Sequence, residues 1–354
     1  MSRTPATTTR LPDLPFLDAL RGLLIVLVIA IHAGSYAQLQ PGWASDLTYF
    51  VVATATVKGF FLVDGFLFAR SLEKATQPSS LARLQTSATR LLLPWLLFSG
   101  AYLLLRMYGG RLGMLPPASM PDGHWSIPGA AAALWYSETS AQMYFLVSLF
   151  AVRAVAIACL SLLRRCGAGA LALLAIALAL LFRQVVEPWA LGANARSAMD
   201  PMLLALGGSA FFVVGMAMWR ARWHEFPQRL ALSGLLLLVS IAATRIGAHW
   251  GHAVSEFAYV GALFLAFAAL AGVPAWLAAT GRRTMGIYLL HLPIIMHLVT
   301  SLTHRLAVAS GFPAYFLIVP LTALASLLAV LVAERLGVAP VLFGETRPAS
   351  RVQA

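Results

Sequence analysis

About ten apolar runs of roughly 17–24 residues fill most of this 354-residue chain, and they limit its fold more than any other feature. A helix rises ~1.5 Å per residue, so runs of this length match the ~30 Å hydrocarbon core of a bilayer. They lie at Leu20–Tyr36, Leu47–Ala69, Leu91–Tyr108, Ser140–Leu163, Ala168–Val185, Pro201–Trp219, Leu230–Ala248, Val254–Val273, Thr284–Leu302 and Phe312–Ala333. The pattern predicts an all-α integral membrane protein, a bundle of about ten transmembrane helices. Segments Gly109–Thr139 and Glu187–Asp200 are rich in Pro, Gly and Trp and read as longer loops. The expected organisation is a cytoplasmic tail at 1–16, a transmembrane domain at 17–338 and a second cytoplasmic tail at 339–354.

Composition and charge narrow the function classes. Hydrophobic residues make up 60% of the chain and charged residues only 11%, against ~25% charged in soluble domains. The net charge is +12, and all 25 basic residues except Lys58 and Lys74 are arginines. In a soluble protein this balance would suggest nucleic acid. On a membrane chain, positive inner loops and anionic lipid headgroups account for it, so membrane lipids are expected partners and nucleic acid is not. With the N-terminus inside, seventeen basic residues fall on inner loops and six on outer ones, alternating loop by loop. Both termini are therefore expected in the cytoplasm. The first run has the look of a signal peptide, with Arg3 and Arg10 ahead of it. Arg21 and His32 interrupt its core and many spans follow, so it is expected to be retained. Cys159 and Cys166 form no ligand cluster with histidines and read as structural; no metal site is expected.

Charged and imidazole groups inside membrane segments are costly and mark function by default. Arg21 and His32 share the first run. Eleven residues at ~100° each return to within ~20° of the start, so both side chains occupy one helix face, about 16 Å apart along the axis. Arg21 sits at the inner mouth and His32 past the bilayer centre. A ligand with an anionic head and a reactive tip can lie along that stripe. The second run carries Lys58 and Asp64, with Lys58 level with His32, about 18 Å from the inner edge. The fourth carries Arg153, and the ninth Tyr288, His291 and His297. Buried ions pair or face water, so Asp64 with Arg153 or Lys58 is the natural pairing. Lys58 and Asp64 point ~240° apart on one helix, so Lys58 needs a partner elsewhere, water, or a bound anion. Its sharp reading is a wall of the reaction chamber, holding an acceptor carboxylate or a developing oxyanion. Its plain reading is a neutral lysine on a carbonyl.

These residues resemble the membrane-bound acyltransferase-3 family, which includes bacterial polysaccharide and lipopolysaccharide O-acetyltransferases. Asp18-Ala19-Leu20-Arg21, with His32 eleven residues after the arginine, is similar to the family's first-helix signature. Phe60-Phe61-Leu62-Val63-Asp64-Gly65-Phe66 resembles its Phe-Phe-x-x-Ser-Gly-Phe motif, with Asp64 in place of the serine. Arg90-Leu91-Leu92-Leu93-Pro94 resembles its Arg-x-x-Arg-x-x-x-Pro segment; Ser87 replaces the first arginine, and Arg83 lies one turn earlier. Gly286-Ile287-Tyr288-Leu289-Leu290-His291 resembles its Tyr-x-x-His segment, and Tyr144-Phe145-Leu146 echoes a Trp-Phe-Leu.

The resemblance implies transfer of an acyl group, usually acetyl from acetyl-CoA, to a hydroxyl of a glycan or lipid-linked sugar in a bacterial inner membrane. No bound cofactor is implied; acyl-CoA is the donor substrate. His32 and Asp64 are the expected catalytic pair. Arg21, Arg90 and Arg83 are expected at the donor phosphates. Lys58, Arg153, Tyr144, Tyr288 and His291 are expected to line the acceptor cavity. His32 can serve as general base or as acyl carrier. An N-acyl or succinyl transferase on the same scaffold, a catalytically dead scaffold, and a transporter or flippase remain open readings. The last lacks support from an internal repeat or paired broken helices.

Overall fold

The computed structural model describes residues 13–73, 77–111, 126–189, 200–246, 248–306 and 310–344. Arg3, Arg10, Lys74, Arg196, Arg347, Arg351 and most of both expected tails lie outside them, and of Arg111 only the backbone is described. The described residues contain helices and no strand. In chain order these are α1 (Pro15–Tyr36), α2 (Trp43–Ala53), α3 (Thr56–Ser71), α4 (Ser80–Arg111), α5 (Ile127–Trp135), α6 (Tyr144–Ala158), α7 (Leu160–Arg165) and α8 (Ala168–Leu181). There follow α9 (Pro201–Arg220), α10 (Arg229–Ala243), α11 (Ala248–Ala269), α12 (Ala275–Arg282), α13 (Thr284–Leu290), α14 (Met296–Arg305), α15 (Phe312–Arg335) and α16 (Ala339–Phe343). Nine segments are long and apolar enough to cross a bilayer among the described residues. The protein is an all-α integral membrane bundle.

The structure adjusts several boundaries. The second run is two helices, α2 and α3, within one membrane-long segment, because regular helix lapses to a turn at Thr54 and Ala55 although both keep right-handed backbone angles. Both halves are apolar, so hydropathy reads them as one. The third run is embedded in the 32-residue α4, whose N-terminal turns are polar and whose interior holds Pro94. The seventh run shrinks to the 15-residue α10, shorter than the other spans. The loop expected at 109–139 contains α5, which starts with Ser126 accepting a hydrogen bond from the Gly129 amide. Between the eighth and ninth runs, α12 is an 8-residue helix too short for hydropathy to register.

Lipid tails are as apolar as leucine, so helices in a bilayer associate through close packing rather than through a hydrophobic drive. Glycines permit that approach at two crossings. A Cβ at Gly65 would overlap the Phe212 carbonyl, and one at Gly215 would overlap the Leu62 carbonyl, so α3 and α9 touch backbone to backbone. At the Pro15 end of α1, Gly22 meets the Leu277 carbonyl and Gly281 meets the Asp18 carbonyl, which clamps α12 onto α1. Phe61, Phe66, Phe212, Phe264 and Leu24 fill the centre between these crossings.

Candidate functional site

The helical phase that pairs Arg21 with His32 holds because α1 is continuous from Pro15 to Tyr36. His32 faces a cavity of about 600 Å³ that Lys58, Tyr144, Tyr288, Gln142 and Glu256 also line. Asp46 and Tyr49 of α2 and His252 of α11 complete its outer part. The break between α2 and α3 contributes Ala53, Thr54 and Thr56 to the same wall. The cavity lies toward the Tyr36 end of α1.

His291 stands behind His32, with ring centroids 5.6 Å apart. It is fully buried, where the helix breaks: Leu292 has extended backbone angles between α13 and α14. The His291 Nδ1 lies 2.7 Å from the Tyr288 carbonyl oxygen. A carbonyl only accepts, so Nδ1 donates and the neutral ring keeps Nε2 as its acceptor. No protein group among the described residues reaches that buried Nε2. The break also frees backbone groups, and Gln142 takes one of them, donating from Nε2 to the Leu292 carbonyl at 2.9 Å. The Tyr288 hydroxyl donates to the Gln142 carbonyl. Tyr288 and Gln142 are thus tied together in the wall of the cavity, which Tyr144 also lines.

The charged groups inside the bundle are paired. Arg153 donates to both oxygens of Asp64, from Nε at 2.7 Å and from Nη2. This is one of the two pairings expected from buried charge. Lys58 pairs with Glu256 instead. The second Glu256 oxygen receives Arg183 Nη2 at 2.6 Å, and Arg183 Nη1 reaches Glu187 at 2.7 Å. These four groups balance in charge. Sequence reasoning missed Glu256 and Arg183 because each sits close to the end of an apolar run. The usable signal was a lone carboxylate two residues inside the start of the eighth run, facing an unpaired lysine in the second.

At the Pro15 end, Arg21 lies 3.7 Å from Asp18, and Arg282 reaches the other Asp18 oxygen at 3.8 Å. Arg21 is also within electrostatic reach of Arg90 and of the Asp64–Arg153 pair. Arg21 thus stands toward the Pro15 end of α1, away from His32. Arg83 is engaged elsewhere. Its Nη1 donates to the Ser71 hydroxyl at 3.1 Å and its Nη2 to the Gln77 side chain, which fixes the α3–α4 connection. Ser87 is buried on α4.

A polytopic bundle with paired ions and a histidine-bearing cavity defines a membrane protein with an internal polar site. A family model described as an acyltransferase domain, Acyl_transf_3, matches residues 14–332. The chain belongs to the acyltransferase-3 family and is a membrane acyltransferase. No curated protein and no solved structure matches it.

Proposed function

We propose that this acyltransferase moves an acetyl group from cytoplasmic acetyl-CoA to a hydroxyl of a glycan or lipid-linked sugar, at the His32 cavity. The observation that carries this reading is the α1 stripe. One helix face leads from the Arg21–Arg90 cluster, across about 16 Å, to an imidazole on a cavity of 600 Å³. Two guanidiniums suit the phosphates of the nucleotide end. Leu24, Ile25 and Val28 are buried in the core between the two ends of the stripe, so the pantetheine arm reaches His32 by parting these side chains when the donor binds.

An alcohol is a weak nucleophile at pH 7, and imidazole suits the task of taking its proton. The hydroxyl oxygen attacks the thioester carbonyl carbon while its proton passes to His32. A C–O bond forms, the C–S bond breaks, and the proton passes on to the departing CoA sulfur. The Lys58 ammonium has three N–H donors and spends one on Glu256, so it retains donors for the acceptor or for the oxyanion that forms during attack. Asp64, with both oxygens on Arg153, enters as a charge near Arg21 rather than as a second base. Arg83 serves the α3–α4 connection.

The basic side chains support a cytoplasmic Pro15 end. Asp18–Arg282, Arg283–Glu334, Glu73–Arg220 and the Arg220 contact to the Arg164 carbonyl tie together one end of the bundle. Arg21, Arg70, Arg83 and Arg90 belong to the same end, as positive-inside topology requires. Mass spectrometry of envelope glycans and small metabolites from cells with and without the protein tests the reaction. An added acetyl mass on a sugar component is expected only with the protein, and unchanged masses contradict the reading.

A further inference from the structure

His291 is fully buried, yet one nitrogen of its ring meets no protein partner among the described residues. It stands just past the end of α13, where neighbouring groups pin the backbone. Pro293 has no N–H, so the Leu289 carbonyl lacks the helical donor four residues on. The Tyr102 hydroxyl of α4 donates to that carbonyl instead. Gln142 holds the Leu292 carbonyl, and the Tyr288 hydroxyl donates to Gln142 in turn. Within this frame Nδ1 donates to the Tyr288 carbonyl, which uses the one proton of the neutral ring and leaves Nε2 a bare acceptor. A buried acceptor without a donor is unfavourable, so a donor is expected to visit it. Two rings with a proton to give lie beside it. The Tyr288 hydroxyl is engaged with the Gln142 carbonyl. The other ring is His32, 5.6 Å away between centroids. A ring nitrogen lies roughly 1.2 Å from its own centroid, so nitrogens facing each other across this gap stand about 3.2 Å apart, at the limit of hydrogen-bond length. No described residue hydrogen-bonds His32, and its outer torsion is soft, so a small turn of the ring closes the contact.

We propose that His291 is a positioning residue for His32: its Nε2 accepts the His32 N–H, which leaves the other His32 nitrogen bare toward the cavity. A neutral imidazole has one N–H and one lone pair, and the bond made by one nitrogen sets the state of the other. His291 does not line the cavity, so it acts on an acceptor only through His32. During transfer the acceptor O–H bond breaks and its proton joins the bare His32 nitrogen. The original N–H stays on His32 and stays bonded to His291. When the C–S bond breaks, the newly gained proton passes to the CoA sulfur. His291 keeps its own proton on Nδ1 throughout and remains neutral. The chain from the Tyr288 carbonyl through His291 to His32 thus does with a neutral ring what a carboxylate does in a catalytic triad: it selects one tautomer and one ring orientation. The proposal rests on the acyl-transfer reading for the part of His32 as base. The pairing of the two rings stands on geometry alone.

Nitrogen NMR of the full chain in lipid nanodiscs, with isotope in every histidine ring, reads the pair without relying on activity. His32→Ala identifies the His32 signals by their loss. Wild type should show His32 in one tautomer at neutral pH, with a scalar coupling across an N–H···N bond to His291. His291→Gln keeps an acceptor oxygen where Nε2 stands, whereas His291→Asn keeps only a donor toward Tyr288. His32 should stay in one tautomer in the first variant and divide between two in the second. The enzymatic readout is release of the CoA thiol from acetyl-CoA, with dodecyl β-glucoside as the acceptor probe. His291→Asn should lower kcat about tenfold or more with KM for acetyl-CoA unchanged, and His291→Gln should restore most of it. The wild-type spectrum decides alone if neither variant folds. His32 divided between tautomers in wild type, no coupling between the two rings, or equal kcat in the two variants would overturn the proposal; a purely structural His291 predicts the last. Thiol release at the same rate in wild type and His32→Ala would sink the acyl-transfer reading of His32 and leave the ring pair, read by NMR, standing.

Discussion

Asp64 and Arg153 show how much a single buried ion pair decides in this bundle. Both Asp64 oxygens are taken by one guanidinium. Removing one member leaves the other charged and unpaired in a low-dielectric interior, which costs about 3–5 kcal/mol, whereas replacing both with apolar groups is often neutral. Arg153→Met should therefore lower the thermal midpoint of the detergent-purified protein sharply, and Asp64→Leu with Arg153→Met should recover most of the loss. Additive losses would place these two residues outside one coupled pair. The donor site makes a separate prediction. Arg21→Ala and Arg90→Ala should each weaken acetyl-CoA binding in titrations of the purified protein, and wild-type affinity should fall as salt screens the phosphate contacts. Unchanged affinity in both variants would remove them from the donor site. The Arg21–His32 phase and the Asp64–Arg153 pairing were legible in the sequence because both follow from helix geometry and the cost of lone charges. The Lys58–Glu256 pairing was not, because 198 residues separate the partners and nothing local aligns α3 with α11.

At the scale of the elements, the α3–α9 crossing brings two backbones into direct contact and rests on Gly65 and Gly215. A side chain at either position meets a backbone carbonyl that cannot rotate away. Gly215→Val should cost at least the ~1–3 kcal/mol of ordinary overpacking and reduce the monodisperse fraction on size-exclusion chromatography. Gly234 offers the contrast, since it lies inside α10 with nothing near its missing Cβ. Gly234→Ala should raise thermal stability by about 0.5–1 kcal/mol through reduced backbone entropy. A stable Gly215→Val protein would mean that the two helices do not meet as described. Hydropathy located most spans but missed the α2–α3 break, α5 and α12. It averages over a window, and these features depend on single turns or, for α12, on packing against α1. The interruption at His291–Ile295 was equally hidden, although it positions both His291 and the Leu292 carbonyl that Gln142 holds.

At the scale of the whole molecule, two ends of one bundle have different chemistry. The end carrying Pro15 holds the basic side chains, and the other holds the His32 cavity. Cysteine substitutions at Gln228 and at Gln40 should report this orientation in intact cells. A membrane-impermeant maleimide should label Gln40→Cys and spare Gln228→Cys; the reverse pattern would turn the protein over in the membrane and separate the proposed donor site from cytoplasmic CoA. The most direct test of the central claim uses the purified chain in nanodiscs with acetyl-CoA labelled in its acetyl group and a lipid-linked sugar acceptor. The account predicts label on an acceptor hydroxyl with wild type and none above background with His32→Ala, at equal amounts of folded protein. Transfer by the His32→Ala variant at the wild-type rate would contradict it.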